Sequence, residues 1–198
     1  MTIGVSVEKN AEKNEELPSY SYQGKSEIMR GVVRCFQENL SLYSGNRGVE
    51  KEIVNCDVVL PIIQIAEVME EKGVTKVLGQ FRYSGYVLSG QTLYDAQIGG
   101  GGAGAIYLKK TGSGYSVVKV KYLKNDEVYQ VKNAKPIDGP ERERELEKLC
   151  KGNKKIIHKI LNFHYQKAEK RCIREYVKEN QLNIRYFKGW RKDLEVLK

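Results

Sequence analysis

A run of glycines constrains the fold of this chain more than any other feature. Between Ile98 and Ile106 the sequence reads Gly-Gly-Gly-Gly-Ala-Gly-Ala, and Gly99, Gly101 and Gly104 stand at the G-x-G-x-x-G spacing of a dinucleotide-binding loop. In that motif the glycines open a helix whose first amide groups meet the pyrophosphate. Here they precede Ala-Ile-Tyr-Leu-Lys-Lys, which is typical of a strand, and no Gly-Lys-Ser/Thr follows. The run therefore predicts a kink or loop of a sheet.

The chain before this run predicts a polar arm followed by a helix. Residues 2–24 are polar and lack apolar periodicity, so we expect a flexible arm over residues 1–24. Ser26 is a candidate N-cap, and apolar residues then recur at three- and four-residue spacing as far as Leu42. A chain of 198 residues suits one domain, which we expect to span residues 25–198.

The middle of the chain predicts bent antiparallel strands. β-Branched residues between Val54 and Val68 surround Pro61, which favours an edge strand or a strand break. Residues 74–88 alternate well enough to form a long strand, bent near Gly85. Residues 105–123 are typical of a hairpin around a Thr-Gly-Ser-Gly loop.

The C-terminal third predicts two helices. Pro140 suits a first helical position, and Gly152 suits the end of that helix. Asn153 can cap a second helix, whose apolar stripe continues to about Asn180. We therefore predict an α+β fold, in which a strongly bent antiparallel sheet of four to six strands packs against an N-terminal helix and two C-terminal helices. Its shape would be similar to cystatin-like or NTF2-like domains.

Positive charge is concentrated at the C-terminus. Residues 141–198 hold 17 Lys and Arg against 9 Asp and Glu, which accounts for +8 of the net charge of +9. Such asymmetry is typical of a partner that carries negative charge, either nucleic acid or an anionic membrane surface, and equally of solvated helix faces. The candidate anion-binding residues are Arg185, Lys188, Trp190, Arg191 and Lys192. Alternatively, the aromatic residues of this tail close the core.

The sequence shows no catalytic or metal-binding motif. His158 and His164 lie roughly 240° apart around one helix, so they do not readily share a metal. Glu67 and Asp95 could act as a general acid or base, or lie on an exposed strand face. We predict neither a catalytic residue nor a cofactor, and we expect the chain not to be an enzyme.

The cysteines leave two interpretations open. Cys35, Cys56, Cys150 and Cys172 are too widely spaced for a zinc-finger pattern. They are either reduced and buried, or Cys150 and Cys172 form a bridge between neighbouring helices.

No signal peptide or membrane span is visible in the sequence. Met1-Thr-Ile-Gly-Val-Ser lacks a basic segment followed by an apolar one, and no run of eighteen apolar residues occurs. A trimmed exported chain would look the same, so export remains open.

Several short motifs carry a resemblance over about residues 55–180. They are Ile65-Ala-Glu67-Val, Lys72-Gly-Val-Thr-Lys76-Val, Phe81-Arg-Tyr83-Ser-Gly-Tyr86, the glycine run, and Gly114-Tyr115 leading to Val120-Lys-Tyr122. With these motifs in this order, the chain resembles uncharacterised extracytoplasmic proteins of Firmicutes. Those proteins are found as lipoproteins and as C-terminal extensions of BlaR1-like membrane peptidases. The resemblance implies an exported sensory or ligand-binding module of a Gram-positive bacterium, and it carries over no catalytic residue.

These observations predict a non-catalytic binding or sensing module, with a small ligand or a protein as its partner. A concave sheet under a helix often forms a pocket, and the candidate lining residues are Tyr83, Tyr86, Tyr94, Tyr107 and Glu67. One alternative is a binder of an anionic polymer through the basic C-terminal third, for which nucleic acid is the less favoured ligand. Another is a hydrolase whose site is assembled from distant residues; a carboxylate paired with His or Cys in a pocket would favour it.

Overall fold

A computed structural model describes residues 16–38, 55–123, 139–189 and 192–197. In chain order these ranges contain α1 (Glu27–Glu38), β1 (Val58–Glu71), β2 (Val74–Ser89), β3 (Thr92–Thr111), β4 (Gly114–Tyr122), α2 (Gly139–Leu149), α3 (Lys154–Leu161), α4 (Tyr165–Glu179), β5 (Tyr186–Lys188) and β6 (Leu194–Val196). The predicted α+β class is confirmed. No helix within the described ranges combines the length and the apolar character needed to span a membrane.

The strands form one mixed sheet. Neighbouring strands from β1 to β4 are antiparallel, as the hairpin signals predicted. β5 instead runs parallel to the first residues of β3, and β6 pairs antiparallel with β5. The 20-residue β3 therefore pairs with β4 through residues 104–111 and with β5 through residues 92–94, on the edge opposite β2.

The glycine run lies inside β3, paired with β2. Gly101 stands opposite Arg82 with φ at +98°, a backbone conformation that favours glycine. A Cβ at Gly101 would overlap the carbonyl oxygen of Phe81. The run thus serves close approach of two strands, and it continues as a strand instead of opening a helix.

A bulge accompanies the predicted bend near Gly85. The register of β2 against β3 shifts between Ser84 and Tyr86, where residues 96–98 stand opposite Gly85. Gln97 has φ at +60°, and its N–H donates to Oδ1 of Asp95 at 2.7 Å. The extra residues bend this part of the sheet.

β1 is the edge strand that Pro61 indicated. The strand runs unbroken through Pro61, which pairs with Tyr83 of β2. Proline lacks an N–H to donate, and the outer edge of the sheet requires none at that position.

Helices cover both faces of the sheet. α1 begins after Ser26, whose Oγ accepts the N–H of Met29 at 3.2 Å, as a capping residue should. On the face beneath α1, a core forms from Val32, Val33, Cys35, Phe36, Ile63, Val77, Phe81, Tyr83, Ile106 and Leu108. The opposite face packs against α2, α3 and α4.

The second predicted C-terminal helix is two helices. Asn153 caps α3 through the N–H groups of Lys155 and Ile156, and α3 ends at Leu161 before α4 begins at Tyr165. The break allows each helix to bury a different apolar cluster. α3 packs Ile156 and Ile160 near the middle of the sheet, whereas α4 packs a cluster at the end where β5 lies.

The end of the expected arm packs against the body. Leu17 is buried in the same cluster as Tyr176, whose hydroxyl donates to the carbonyl of Pro18 at 2.7 Å. Tyr20 lies beside the Tyr176 ring, with 6.4 Å between centroids. The packed part of the chain therefore extends back to Leu17 instead of beginning at residue 25, and residues 1–15 of the expected arm lie outside the described residues.

All four cysteines carry free thiols. The bridge considered between Cys150 and Cys172 is not formed, and the Cys172 thiol donates to the carbonyl of Pro61 at 3.3 Å. Burial raises the pKa of Cys172 to about 12 and that of the half-buried Cys56 to about 11. These values keep both thiols protonated near neutral pH.

Candidate anion-binding surface

The outward side of α4 carries a stripe of cations. Glu169, Cys172, Ile173 and Tyr176 are buried on the side that faces the sheet. The stripe consists of Lys167, Arg171, Arg174 and Lys178, all exposed. Spacings of four, three and four residues place these side chains on one face of a helix, along about 16 Å of its axis.

α3 extends the positive surface. Its buried residues are Ile156 and Ile160, and the exposed Lys154 and Lys155 belong to its first turn. α3 contains no acidic residue. The two helices follow one another on the same face of the sheet, so their outward sides share one surface.

Few acidic residues precede Glu175 in this part of the chain, and Glu175 and Glu179 are exposed on α4. Residues 148–174 contain nine Lys and Arg, and the single acidic residue among them is Glu169, which is buried. Three of the cations form ion pairs with other parts of the protein: Lys148 with Glu145, Lys151 with Glu71, and Lys170 with Glu195. None of the four stripe residues, and neither Lys154 nor Lys155, forms an ion pair within the described ranges.

A buried polar cluster fixes α4 against β2. Glu169 is 2% exposed, and its Oε1 accepts hydrogen bonds from the hydroxyls of Tyr86 at 3.0 Å and Tyr165 at 3.2 Å. The Tyr165 oxygen also lies 2.5 Å from Oγ of Ser84. On the other side, Nζ of Lys192 is 3.9 Å from Oε2. Sheet, helix and C-terminal segment therefore meet at one carboxyl group.

Burial dominates the electrostatics of this cluster. It raises the pKa of Glu169 above its ordinary value, and the hydrogen bond from Tyr86 and the charge of Lys192 offset only part of that effect. Burial likewise raises the pKa of Tyr86 and Tyr165. Both phenols therefore remain donors near neutral pH, and the guanidinium of Arg82 lies over the Tyr165 ring, 5.7 Å from its centroid.

The structure does not bring the five candidate ligand-binding residues together. Tyr83 packs under α1 against Phe36, whereas Tyr86 packs under α4 on the opposite face of the sheet. The ring of Tyr107 lies near the ammonium group of Lys76, 5.8 Å from the centroid. Because helices cover both faces, the expected open concave face becomes core.

The remaining two candidates lie near the margins of the sheet. Tyr94 is 39% exposed, opposite Lys188 of β5. Glu67 is half-buried beside the bulge in β1, where its carboxylate accepts the N–H of Val68 at 3.3 Å.

The candidate residues of the basic tail are divided as well. Arg185 and Lys188 are exposed, whereas Lys192 points toward Glu169. Trp190 and Arg191 lie outside the described residues. Phe187 and Ile184 are buried with the α4 cluster, so this part of the tail closes the core, as the alternative interpretation held.

Neither His158 nor His164 pairs with a carboxylate in the described part of the chain. His158 contacts the Asn162 side chain, and His164 precedes α4; both are exposed. No three His, Cys, Asp or Glu side chains in that part come together as metal ligands would.

Sequence reasoning missed both the stripe and the cluster. The spacing of the cations from Lys167 to Lys178 could have predicted that they share one face of a helix. The role of Glu169 could not be predicted in this way, because its partner Tyr86 lies more than eighty residues earlier in the chain.

Comparisons of the chain with protein-family models, with curated proteins and with solved structures find no match. The fold and the surface together therefore define its class: an α+β protein with a mixed six-stranded sheet between helices and a basic outward face on α3 and α4.

Proposed function

We propose that this chain is a non-catalytic binding module, and that its ligand is an anionic polymer or surface bearing phosphate groups. The observation that carries the proposal is the stripe on α4. Four cations on one helix face, joined by Lys154 and Lys155 of α3, form no ion pair within the described part of the chain, and Glu175 and Glu179 are exposed on the same helix as the four. A helix held by buried contacts presents such cations without the entropy cost of ordering a loop.

The expected affinity follows from the number of unpaired cations. Each Lys or Arg near an anionic membrane surface contributes about 1 kcal/mol, so six contribute about 6 kcal/mol at most. This corresponds to a dissociation constant of tens of micromolar. The attraction depends on salt, because neither the cations nor the phosphates are shielded from water.

The location of the protein belongs to the same proposal. The resemblance described above supports a place outside the cytoplasm of a Gram-positive bacterium, where lipid headgroups are the more accessible phosphate groups. We therefore choose phosphatidylglycerol vesicles as the first probe and a single-stranded oligonucleotide as the second.

The test compares two sets of charge-neutralising substitutions. The first replaces the stripe, as Lys167→Gln, Arg171→Gln, Arg174→Gln and Lys178→Gln. The control removes the same charge elsewhere, as Lys25→Gln, Lys72→Gln, Lys109→Gln and Lys110→Gln, all exposed and free of ion pairs among the described residues. Binding is measured by cosedimentation with phosphatidylcholine vesicles, with and without phosphatidylglycerol, and by fluorescence anisotropy of the oligonucleotide.

We expect the stripe variant to lose binding and the control variant to keep it. If six cations engage the oligonucleotide, the affinity of the unmodified chain falls roughly 300-fold between about 50 and 200 mM salt. The stripe variant keeps two of the six, so its affinity should fall by under about tenfold over the same range of salt. Equal losses in both variants would show that only net charge matters, and this would refute the proposal. Binding to neither probe at low salt would refute it as well.

A further inference from the structure

The outer edge of β4 lies beside α1. β4 pairs with β3 along one edge, and none of the described strands pairs with the other. A groove of about 410 Å³ runs along this edge, lined by Gly31, Arg34 and Glu38 of α1 and by residues 115–120 of β4. Its lining includes a continuous run of β4 and no residue of β3. The groove therefore lies outside the sheet, between the helix and the strand edge.

This arrangement suits the addition of a strand. An extended peptide can hydrogen-bond to an exposed sheet edge, and side-chain pockets beside the edge then select its sequence. α1 provides one wall of such a pocket, because Gly31 allows close packing: a Cβ there would come 2.9 Å from Cβ of Tyr115. Across the groove, Arg34 and Glu38 neutralise each other in an exposed ion pair at 2.9 Å.

The two faces of β4 differ in character. Tyr115, Val117 and Val120 pack toward α1 while remaining partly exposed. Lys119 and Lys121 pair with Tyr107 and Ala105, and so lie on the opposite face. Because side chains alternate along a strand, an added strand would place apolar residues beside α1 and acidic residues beside the two lysines.

The same lysines disfavour pairing between two copies of the protein. Lysine on an edge strand and a bulge in that strand both oppose edge-to-edge association. β4 has both, since its register against β3 shifts beside Lys119. Like charges would meet if β4 paired with another β4, whereas an acidic strand would relieve the repulsion.

We propose that the groove between α1 and the outer edge of β4, which pairs with none of the described strands, binds an extended segment of a partner protein, in which apolar and acidic residues alternate and which joins the sheet as an added strand. This site is separate from the α4 stripe and does not depend on it.

A fluorescein-labelled peptide of alternating Glu and Val provides the probe, with fluorescence anisotropy as the measurement. We expect saturable binding to the full chain, and loss of binding when alternate backbone nitrogens of the peptide are methylated, because methylation removes edge hydrogen bonds and keeps every charge. The double variant Lys119→Glu with Lys121→Glu should bind the Glu-Val peptide about tenfold more weakly. The same variant should bind a Lys-Val peptide more tightly than the unmodified chain does.

Two controls distinguish this site from general attraction of charge. The stripe variant of α4 should bind the Glu-Val peptide with unchanged affinity, and circular dichroism should show that each variant is folded. Unchanged binding of the methylated peptide would overturn the proposal, since it would exclude strand addition. Loss of binding in the stripe variant, or no binding at about 1 mM peptide, would overturn it equally.

Discussion

The hydrogen bond from Tyr86 to Glu169 holds the middle of α4 against the sheet, and its removal offers a direct test of how the basic helix is positioned. Both groups are buried, and their oxygens lie 3.0 Å apart. Tyr86→Phe deletes one hydroxyl and keeps the ring, which packs edge-on against Phe187 at 6.0 Å. The substitution therefore isolates the hydrogen bond from the apolar packing.

The magnitude depends on the charge of the acceptor. A hydrogen bond to a charged group contributes about 1.5–3 kcal/mol, and one between neutral groups about 0.5–1.5 kcal/mol. When Glu169 is ionised, which alkaline pH favours, Tyr86→Phe should lower the free energy of unfolding by the larger amount. In a Glu169→Gln background the phenol donates to an amide oxygen, so the cost should fall to the smaller amount.

Urea denaturation followed by circular dichroism measures all four proteins of this double-mutant cycle. We expect a coupling free energy of about 1 kcal/mol and unchanged m-values, since the surface exposed on unfolding stays the same. Tyr86→Phe would cost the same in both backgrounds if the carboxylate were not the acceptor. That result, or a cost under about 0.5 kcal/mol in the unmodified background, would refute the reasoning.

Three further predictions follow from local geometry. Burial raises the pKa of Glu169 above its ordinary value of 4.5, so the contribution of this carboxyl group to stability is present below pH 4.5 and is lost as pH rises through the folded-state pKa. The free energy of unfolding of Glu169→Gln, relative to that of the unmodified chain, should therefore increase with pH over this window. Denaturation at several pH values measures this difference. Gly101→Ala should cost about 3 kcal/mol or more from backbone strain and overlap, whereas Gly112→Ala, with open space around it, should be nearly neutral in the same assay. Thiol titration without reductant should find four free thiols after denaturation, and in the folded protein Cys56 should react ahead of the three buried cysteines; a count of two would show a bridge.

The sequence predicts those elements of the fold that local chemistry determines. Lys72 and Gly73 turn the chain between β1 and β2 with φ at 53° and 76°, which is the chemistry expected of a tight hairpin. Ser26 and Asn153 cap their helices as predicted, because a capping side chain needs only its own first turn. The alternation of apolar and polar residues likewise predicts β2 and the hairpin of β3 and β4.

The parts that sequence reasoning missed depend on distant residues. β5 has three residues and pairs with β3 some ninety positions earlier, so no local pattern could show that the sheet is mixed. Leu17 looked like part of a polar arm, because a single apolar residue gives no periodicity until Tyr176 lies beside it.

The candidate surface divides in the same way. The cations of α4 follow a helical period and were predictable as a group, whereas Tyr83 and Tyr86 were grouped on one concave face although the bulge and the helices place them in separate cores. A prediction of ligand-binding residues from aromatic content therefore fails where both faces of a sheet are covered.

Burial of Glu169 links the stability of α4 to the charge of its outward side. Glu169 is the one acidic residue between Lys148 and Arg174, and it points toward β2, where Tyr86 donates to it and Lys192 lies close. The desolvation of a buried carboxylate generally costs more free energy than its hydrogen bonds and ion pairs contribute, so stability alone does not explain the buried position of Glu169. The position of Glu169 instead determines the orientation of α4. Because its carboxyl group accepts hydrogen bonds from two phenols, it fixes the rotation of the helix about its axis. That rotation places the four cations of the stripe opposite the sheet, where an anionic partner can reach them.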